Sequence, residues 1–250
     1  MAAGLGRGCP WDYDPAVEPT SPDDAALAAR LAEVQDAVAA AASRSGRDAD
    51  AVRLVVITKA APPTIFDALR RLGVKDVGES RIQSAEQRMV GHEQDFRWHL
   101  VGHLQGNKAK RAVALFDVLH GIDSLALLER VDRLAGELGR SPECLLQVNV
   151  SGEEAKHGFR PDQLGEALER AADLTHARVT GLMTMAPRSD DPEHTRAVFA
   201  GLARLRDGQP SATALRQLSM GMSEDFAVAV EEGATLVRVG RRIVAPAAMG

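Results

Sequence analysis

Apolar residues follow two periods that take turns along the chain. Short runs rich in Val, Leu and Ile read as strands over 53–58, 74–78, 96–102, 117–122, 144–150, 178–185, 215–220 and 235–239. Between them a three-to-four spacing predicts helices over 63–72, 81–92, 105–115, 124–138, 161–174, 191–207 and 223–232. Several of these starts carry Ser, Asp or Pro, as in Asp123-Ser124, Arg160-Pro161-Asp162 and Ser223-Glu224-Asp225. One more helix precedes the first strand. Ser21 is placed to cap it, Pro22 opens it, Asp23 and Asp24 fill the first turn, and it ends at Gly46. Leu27, Leu31, Val34 and Val38 share one of its faces.

Strands alternating with helices of this length imply βαβ units and a parallel sheet. Eight of them predict a single (β/α)₈ TIM barrel with an extra N-terminal helix; an open doubly wound sheet is the fallback and would use fewer strands. Residues 1–22, rich in Gly, Pro and Asp, read as a flexible leader. Residues 23–250 read as one domain, because no Gly/Ser-rich linker interrupts them.

Composition adds exclusions. Aromatic residues are only 4%, so Leu, Val, Ala and Ile must fill the core, which suits a barrel interior. A net charge of −5 argues against general affinity for nucleic acid or anionic membrane, leaving room for one local basic pocket. No apolar run is long enough for a membrane span or a secretion signal, and a cytoplasmic location is expected. Cys9 and Cys144 are the only cysteines; Cys144 opens an apolar run and is expected to be a small buried hydrophobe.

A barrel of this kind carries its site at the C-terminal ends of the strands. Lys59 stands there after strand one, Glu79 and Ser80 after strand two, and His103, Gln105 and Asn107 after strand three. Asp123, Asn149, Ser151, Thr184, Met185, Ser219 to Ser223, Arg238 and Gly240 follow at the remaining ends. A lysine at a dry mouth has a lowered pKa and its neutral amine attacks aldehydes. From position alone, the plainer reading is a lysine reaching solvent or pairing with Glu79. The segment from Leu218 to Asp225 and the loop at Gly240 follow strands seven and eight, the frequent phosphate site of this fold; an ordinary turn capped by Ser223 is the alternative. Arg238, in an inner strand, needs a partner: a ring nitrogen, a phosphate, or a carboxylate such as Glu79. A metal on His99 and His103 is not expected, since they lie on a strand and its turn and no carboxylate-rich cluster completes a site.

Longer motifs carry a resemblance. Val56-Ile57-Thr58-Lys59, Gly78-Glu79, the run from Trp98 to Lys108, Ile122-Asp123-Ser124 and the run from Gln147 to Phe159 occur in order. Gly181 to Pro187, Leu218 to Ser223 and Gly233 to Gly240 follow. From about residue 25 to about 245 the chain resembles the pyridoxal phosphate homeostasis protein family, itself similar to the N-terminal barrel of alanine racemase. The resemblance implies pyridoxal 5′-phosphate as cofactor, held as a Schiff base on Lys59. It implies phosphate contacts from Ser219, Gly240 and the backbone at Arg241, with Met222 and Ser223 in the same loop. Arg238 matches the residue facing the pyridine nitrogen, and Ser80 and Met185 fall beside the cofactor. Two departures stand out: Ser80 replaces the family's Asn after Gly-Glu, and Ile243-Val244-Ala245 replaces Ile-Phe-Gly.

The resemblance further implies a carrier or buffer, not a dedicated enzyme. Most enzymes using this cofactor place a carboxylate on the ring nitrogen, whereas an arginine only donates. A weak racemase is the alternative, but its second base is a tyrosine from a separate β-domain. The only tyrosine here, Tyr13, lies in the leader, and the sequence ends shortly after the eighth unit. A monomer is expected, with apoenzymes as recipients of the cofactor. Lys108 reads as a solvated helix lysine or a second amine.

Overall fold

The structure, a computed structural model, describes residues 22–244 except 60, 154–156, 188, 190 and 212. The expected leader and the Ser21 cap therefore fall outside the described residues, apart from Pro22, which already belongs to the first helix.

That helix, α1 (Pro22–Arg44), buries Leu27, Leu31, Val34 and Val38 as its spacing requires. Fully burying a side chain of this kind stabilises by about 1.5–3 kcal/mol. β1 (Arg53–Ile57), α2 (Ile65–Arg71), β2 (Asp76–Glu79), α3 (Ile82–Arg88) and β3 (Arg97–Leu100) follow. Next come α4 (Ala109–Leu115), β4 (Val118–Ile122), α5 (Leu125–Leu138), β5 (Glu143–Gln147) and α6 (Leu164–Ala172). β6 (Arg178–Met183), α7 (Pro192–Asp207), β7 (Gln217–Ser219), α8 (Phe226–Glu231), β8 (Leu236–Val239) and α9 (Arg241–Val244) complete the described residues. α1 packs on α8 and α9, where Arg30 Nε donates to Ile243 O at 2.7 Å.

The eight strands are parallel and pair in sequence order; β1 pairs with β8, Val55 opposite Arg238, and closes the barrel. This is the expected (β/α)₈ architecture. Strand alternation separates two cores. Leu54, Val56, Val77, Trp98, Leu100, Leu119, Leu146, Leu182, Leu218, Val237 and Val239 face the helices. Val55, Ile57, Val118, Leu145, Met183 and Leu236 form a second cluster, the barrel interior. Cys144 is fully buried, and its thiol pKa is pushed up to about 12 by that burial.

Starts predicted from local signals differ in outcome. Ser124 caps α5, its Oγ accepting from Leu127 N at 3.4 Å. Ser223 does not cap α8, which begins after Asp225; its hydroxyl oxygen accepts instead from Gly240 N at 3.3 Å. Among the described residues, no helix is long and apolar enough to cross a membrane.

Candidate functional site

The interior has a polar spine. Its inward positions include Asp76, His99, His120, Ser219 and Arg238, all buried. Asp76 Oδ1 lies 2.8 Å from His99 Nε2, and His99 Nδ1 lies 2.9 Å from His120 Nε2. His120 Nδ1 lies 2.8 Å from Ser219 Oγ. Arg238 Nη1 donates to the same Oγ at 2.5 Å, and Arg238 Nη2 donates to Thr184 O at 3.2 Å.

Donor and acceptor chemistry orders the protons along this spine. A carboxylate only accepts, so His99 Nε2 carries the hydrogen toward Asp76. A neutral His99 then accepts at Nδ1, which puts the His120 hydrogen on Nε2 and leaves His120 Nδ1 to accept from the Ser219 hydroxyl. Ser219 Oγ in turn accepts from Arg238. One arrangement satisfies every contact with both imidazoles neutral. Burial is the leading cause that holds the His99 pKa below its ordinary value, against the pull of Asp76. His120 is pushed further down, by burial first and then by His99 and Arg238. Burial also lowers Arg238, to about 10, with Asp225 opposing, so the guanidinium remains charged at neutral pH. Among the described residues no carboxylate forms an ion pair with it.

At the β1 mouth, Thr58 is buried and Lys59 is exposed. Lys59 lies in the turn after β1, and the dry surroundings expected of it belong to Thr58. Thr58 Oγ1 donates to Glu79 Oε1 at 2.6 Å. Arg88 from α3 pairs with the same Oε1 at 2.9 Å and donates to Thr58 O at 2.8 Å and Ala61 O at 2.6 Å. One guanidinium thus grips the backbone on both sides of Lys59. Glu79 spends Oε1 on both Arg88 and Thr58 while its buried Oε2 has no hydrogen-bond partner, and the sequence's suggestion of Glu79 as partner for Lys59 or Arg238 is not realised.

The loops after β7 and β8 meet near this turn. Met222 N donates to Asp225 Oδ1 at 2.5 Å, and the Ser223–Gly240 hydrogen bond ties one loop to the other. A Cβ on Gly240 would stand 3.0 Å from Ile57 O, two residues before Lys59, so a side chain here would press the β8 loop away from β1 by a few tenths of an ångström. Arg241 is exposed, and its side chain turns to Glu224 at 3.2 Å. Met185 and Met222, each 38% exposed, are two of the three exposed large apolar side chains among the described residues. Both follow barrel strands at the C-terminal mouth.

The alanine racemase N-terminal domain family matches residues 29–245. A pyridoxal phosphate homeostasis protein of Aquifex aeolicus is 36% identical over 214 residues, covering 84% of this chain and 94% of that protein. One from Deinococcus radiodurans is 39% identical over 208 residues, covering 82% and 94%. The chain belongs to the pyridoxal phosphate homeostasis protein family. Among solved structures of similar proteins, PipY of Synechococcus elongatus with PLP bound superposes with TM-score 0.73 at 37% identity, covering 87% of this chain and 99% of PipY. An alanine racemase of Clostridium difficile shares the fold, with TM-score 0.71 at 13% identity over 88% of this chain and 56% of its own.

Within this homeostasis-family barrel the expected residues fall into three groups. Ser219 and Arg238 are in direct contact. Ser223 and Gly240 are in contact, with Met222 beside them and Arg241 on the following turn. Lys59 lies two residues past Ile57, the residue that Gly240 approaches. Ser80, half-buried after β2, and Met185, after β6, stand at other strand ends, and no polar contact links either to these groups. The residues that the sequence did not single out are Asp76, His99 as a relay member, His120 and Arg88; Asp225 figures there only as part of the loop after strand seven and of a helix start. Strand parity was the available signal for the first three. Each is a polar residue on the inward parity of its strand.

Proposed function

We propose that this chain holds pyridoxal 5′-phosphate as a Schiff base on Lys59, and buffers or delivers it to apoenzymes without running a dedicated reaction. The observation that carries this reading is Arg238: a charged, fully buried side chain with donors to spare, which feels the charge of Asp225 but has no carboxylate within ion-pair distance among the described residues. A pyridine nitrogen supplies the acceptor such a group lacks. The residues present fit the cofactor in other respects. The β7 and β8 loops bring Ser223 and the close-lying Gly240 together, and in the short helix that Arg241 opens the Ile243 and Val244 N–H groups close on Gly240 O, leaving those of Arg241 and Arg242 without an intrahelical acceptor. Met185 and Met222 offer apolar cover at the mouth.

When bound, the cofactor supplies an aldehyde that condenses with an amine and releases water. The protein's part is to present and orient. Arg88 fixes the turn that carries Lys59. Ser219 and Thr184 O aim the guanidinium of Arg238. That guanidinium cannot take a proton, and with no carboxylate paired to it nothing at this position holds the ring nitrogen protonated, so carbanion chemistry is weakly supported. Ser219 spends its hydroxyl hydrogen on His120 and its backbone on the barrel ladder, so the phosphate contact that the resemblance implies for this residue falls to the loop beyond it, at Met222 and Ser223.

Titration of the purified chain with pyridoxal phosphate is expected to raise an imine absorbance that saturates at one equivalent and is lost in Lys59→Ala. Persistence of the band in that variant would place the imine elsewhere. α-Proton exchange from alanine in deuterated water is expected to stay far below turnover rates; exchange at enzymatic rates would favour a racemase-like activity.

A further inference from the structure

On the β3–β5 side of the mouth, His103, Asp123 and His157 converge. His103 lies in the loop after β3, Asp123 directly follows β4, and His157 belongs to the connection after β5. Their ligand atoms all lie within 4.8 Å of one another. Asp123 Oδ2 stands 3.2 Å from His103 Nδ1 and 3.6 Å from His157 Nδ1. Both separations exceed the 2.8 Å of the buried His99–Asp76 contact. They bracket the edge of a coordination tetrahedron, about 3.3 Å for metal–ligand bonds of about 2.05 Å.

We propose that His103 Nδ1, Asp123 Oδ2 and His157 Nδ1 form a site for a borderline divalent cation, Zn²⁺ in the first instance. Two imidazoles and one carboxylate, with no thiolate, suit Zn²⁺ better than the all-oxygen shells that Ca²⁺ and Mg²⁺ prefer. The frame is anchored where it has to be. Gln147, buried at the end of β5, donates through Nε2 to His157 O at 2.8 Å. Gly158 follows at φ +129, where a Cβ would meet Gln147 O at 2.9 Å, so the backbone carrying His157 is held against the barrel. The Asp123 side chain is 13% exposed, with one oxygen close to the Nδ1 atoms of both rings. The two imidazoles are stacked, 3.9 Å between centroids and 12° between planes. Coordination requires them to splay, and the 39% and 60% exposed side chains have room to turn. Three protein ligands leave the fourth position for water or for a donor group of a molecule entering the mouth.

The test uses tag-free full-length protein stripped with a chelator and titrated with Co²⁺, whose tetrahedral d–d bands report coordination. One equivalent is expected to bind and to be displaced by one equivalent of Zn²⁺. His157→Ala, on an exposed side chain that does not endanger the fold, and Asp123→Asn are each expected to weaken binding at least about tenfold, in keeping with the loss of one of three ligands. His194→Ala on α7 and Lys59→Ala are expected to leave it unchanged, which separates this site from the cofactor. Absence of the bands, or their persistence in both ligand variants, would overturn the assignment.

Discussion

His120 Nδ1 lies 2.8 Å from Ser219 Oγ, and that single contact joins a carboxylate–imidazole chain through the barrel interior to the buried guanidinium of Arg238. The chain runs from Asp76 at the start of β2 to the ends of β7 and β8, so a residue at one end of the barrel bears on the orientation of Arg238 at the other.

The proton order along this chain is measurable. Nitrogen-15 NMR at neutral pH is expected to show His99 and His120 both neutral with the hydrogen on Nε2. His120→Leu should leave His99 Nδ1 without a donor and the Ser219 hydroxyl hydrogen without its acceptor, while Ser219 Oγ still accepts from Arg238. Each stranded buried group costs about 1–3 kcal/mol, read as a lower urea midpoint at unchanged slope. Pyridoxal phosphate affinity should fall with it, because Ser219 no longer has a fixed hydroxyl direction to present its lone pair to Arg238.

Stability should respond to mild acid. Both buried histidines have folded-state pKa values below the 6.5 of the free side chain. The unfolded chain therefore binds protons first, so their contribution is complete above about pH 6.5 and is lost as pH falls below it. While both imidazoles stay neutral in the fold, the slope approaches about 3 kcal/mol per pH unit, two groups at one proton each. Urea unfolding between about pH 6.5 and 5, above the range of most carboxylates, checks this. His120→Leu should roughly halve the slope.

Arg88 and Glu79 form a nearly enclosed ion pair, with side chains 12% and 0% exposed. Arg88→Met strands the carboxylate and should cost about 3–5 kcal/mol. Adding Glu79→Gln should recover part of that stability, as removal of the stranded charge requires. Cofactor capture should not recover in the double variant, since Thr58 O and Ala61 O would still lack the grip that holds the Lys59 turn. Absorbance titration alongside urea unfolding separates the two effects.

Much of this architecture was legible in the sequence because strand parity and helix spacing are local. Val55 and Ile57 alternate with Leu54 and Val56, and the two sets occupy the interior and the helix-facing layer as period two demands. Ser219, Ser223, Arg238 and Gly240 could be singled out as candidates because they close strands seven and eight. The spine was harder to see. Asp76, His99 and His120 stand in three separate strand runs, and only closure of the barrel brings them within hydrogen-bond reach of one another and of Ser219. Arg88 gave no signal at all, being one arginine among many on a helix surface. Lys59 reaches solvent, as the plainer reading of its position has it, and the drier alternative fails for a specific reason: β1 ends at Ile57, so the last enclosed position falls to Thr58.

Borohydride reduction of the chain after incubation with pyridoxal phosphate, followed by peptide mass mapping, addresses the central claim most directly. One reduced phosphopyridoxyl group is expected, on the peptide containing Lys59, at unit stoichiometry. Label spread over Lys75, Lys108 and Lys110, with Lys59 unmodified, would contradict it.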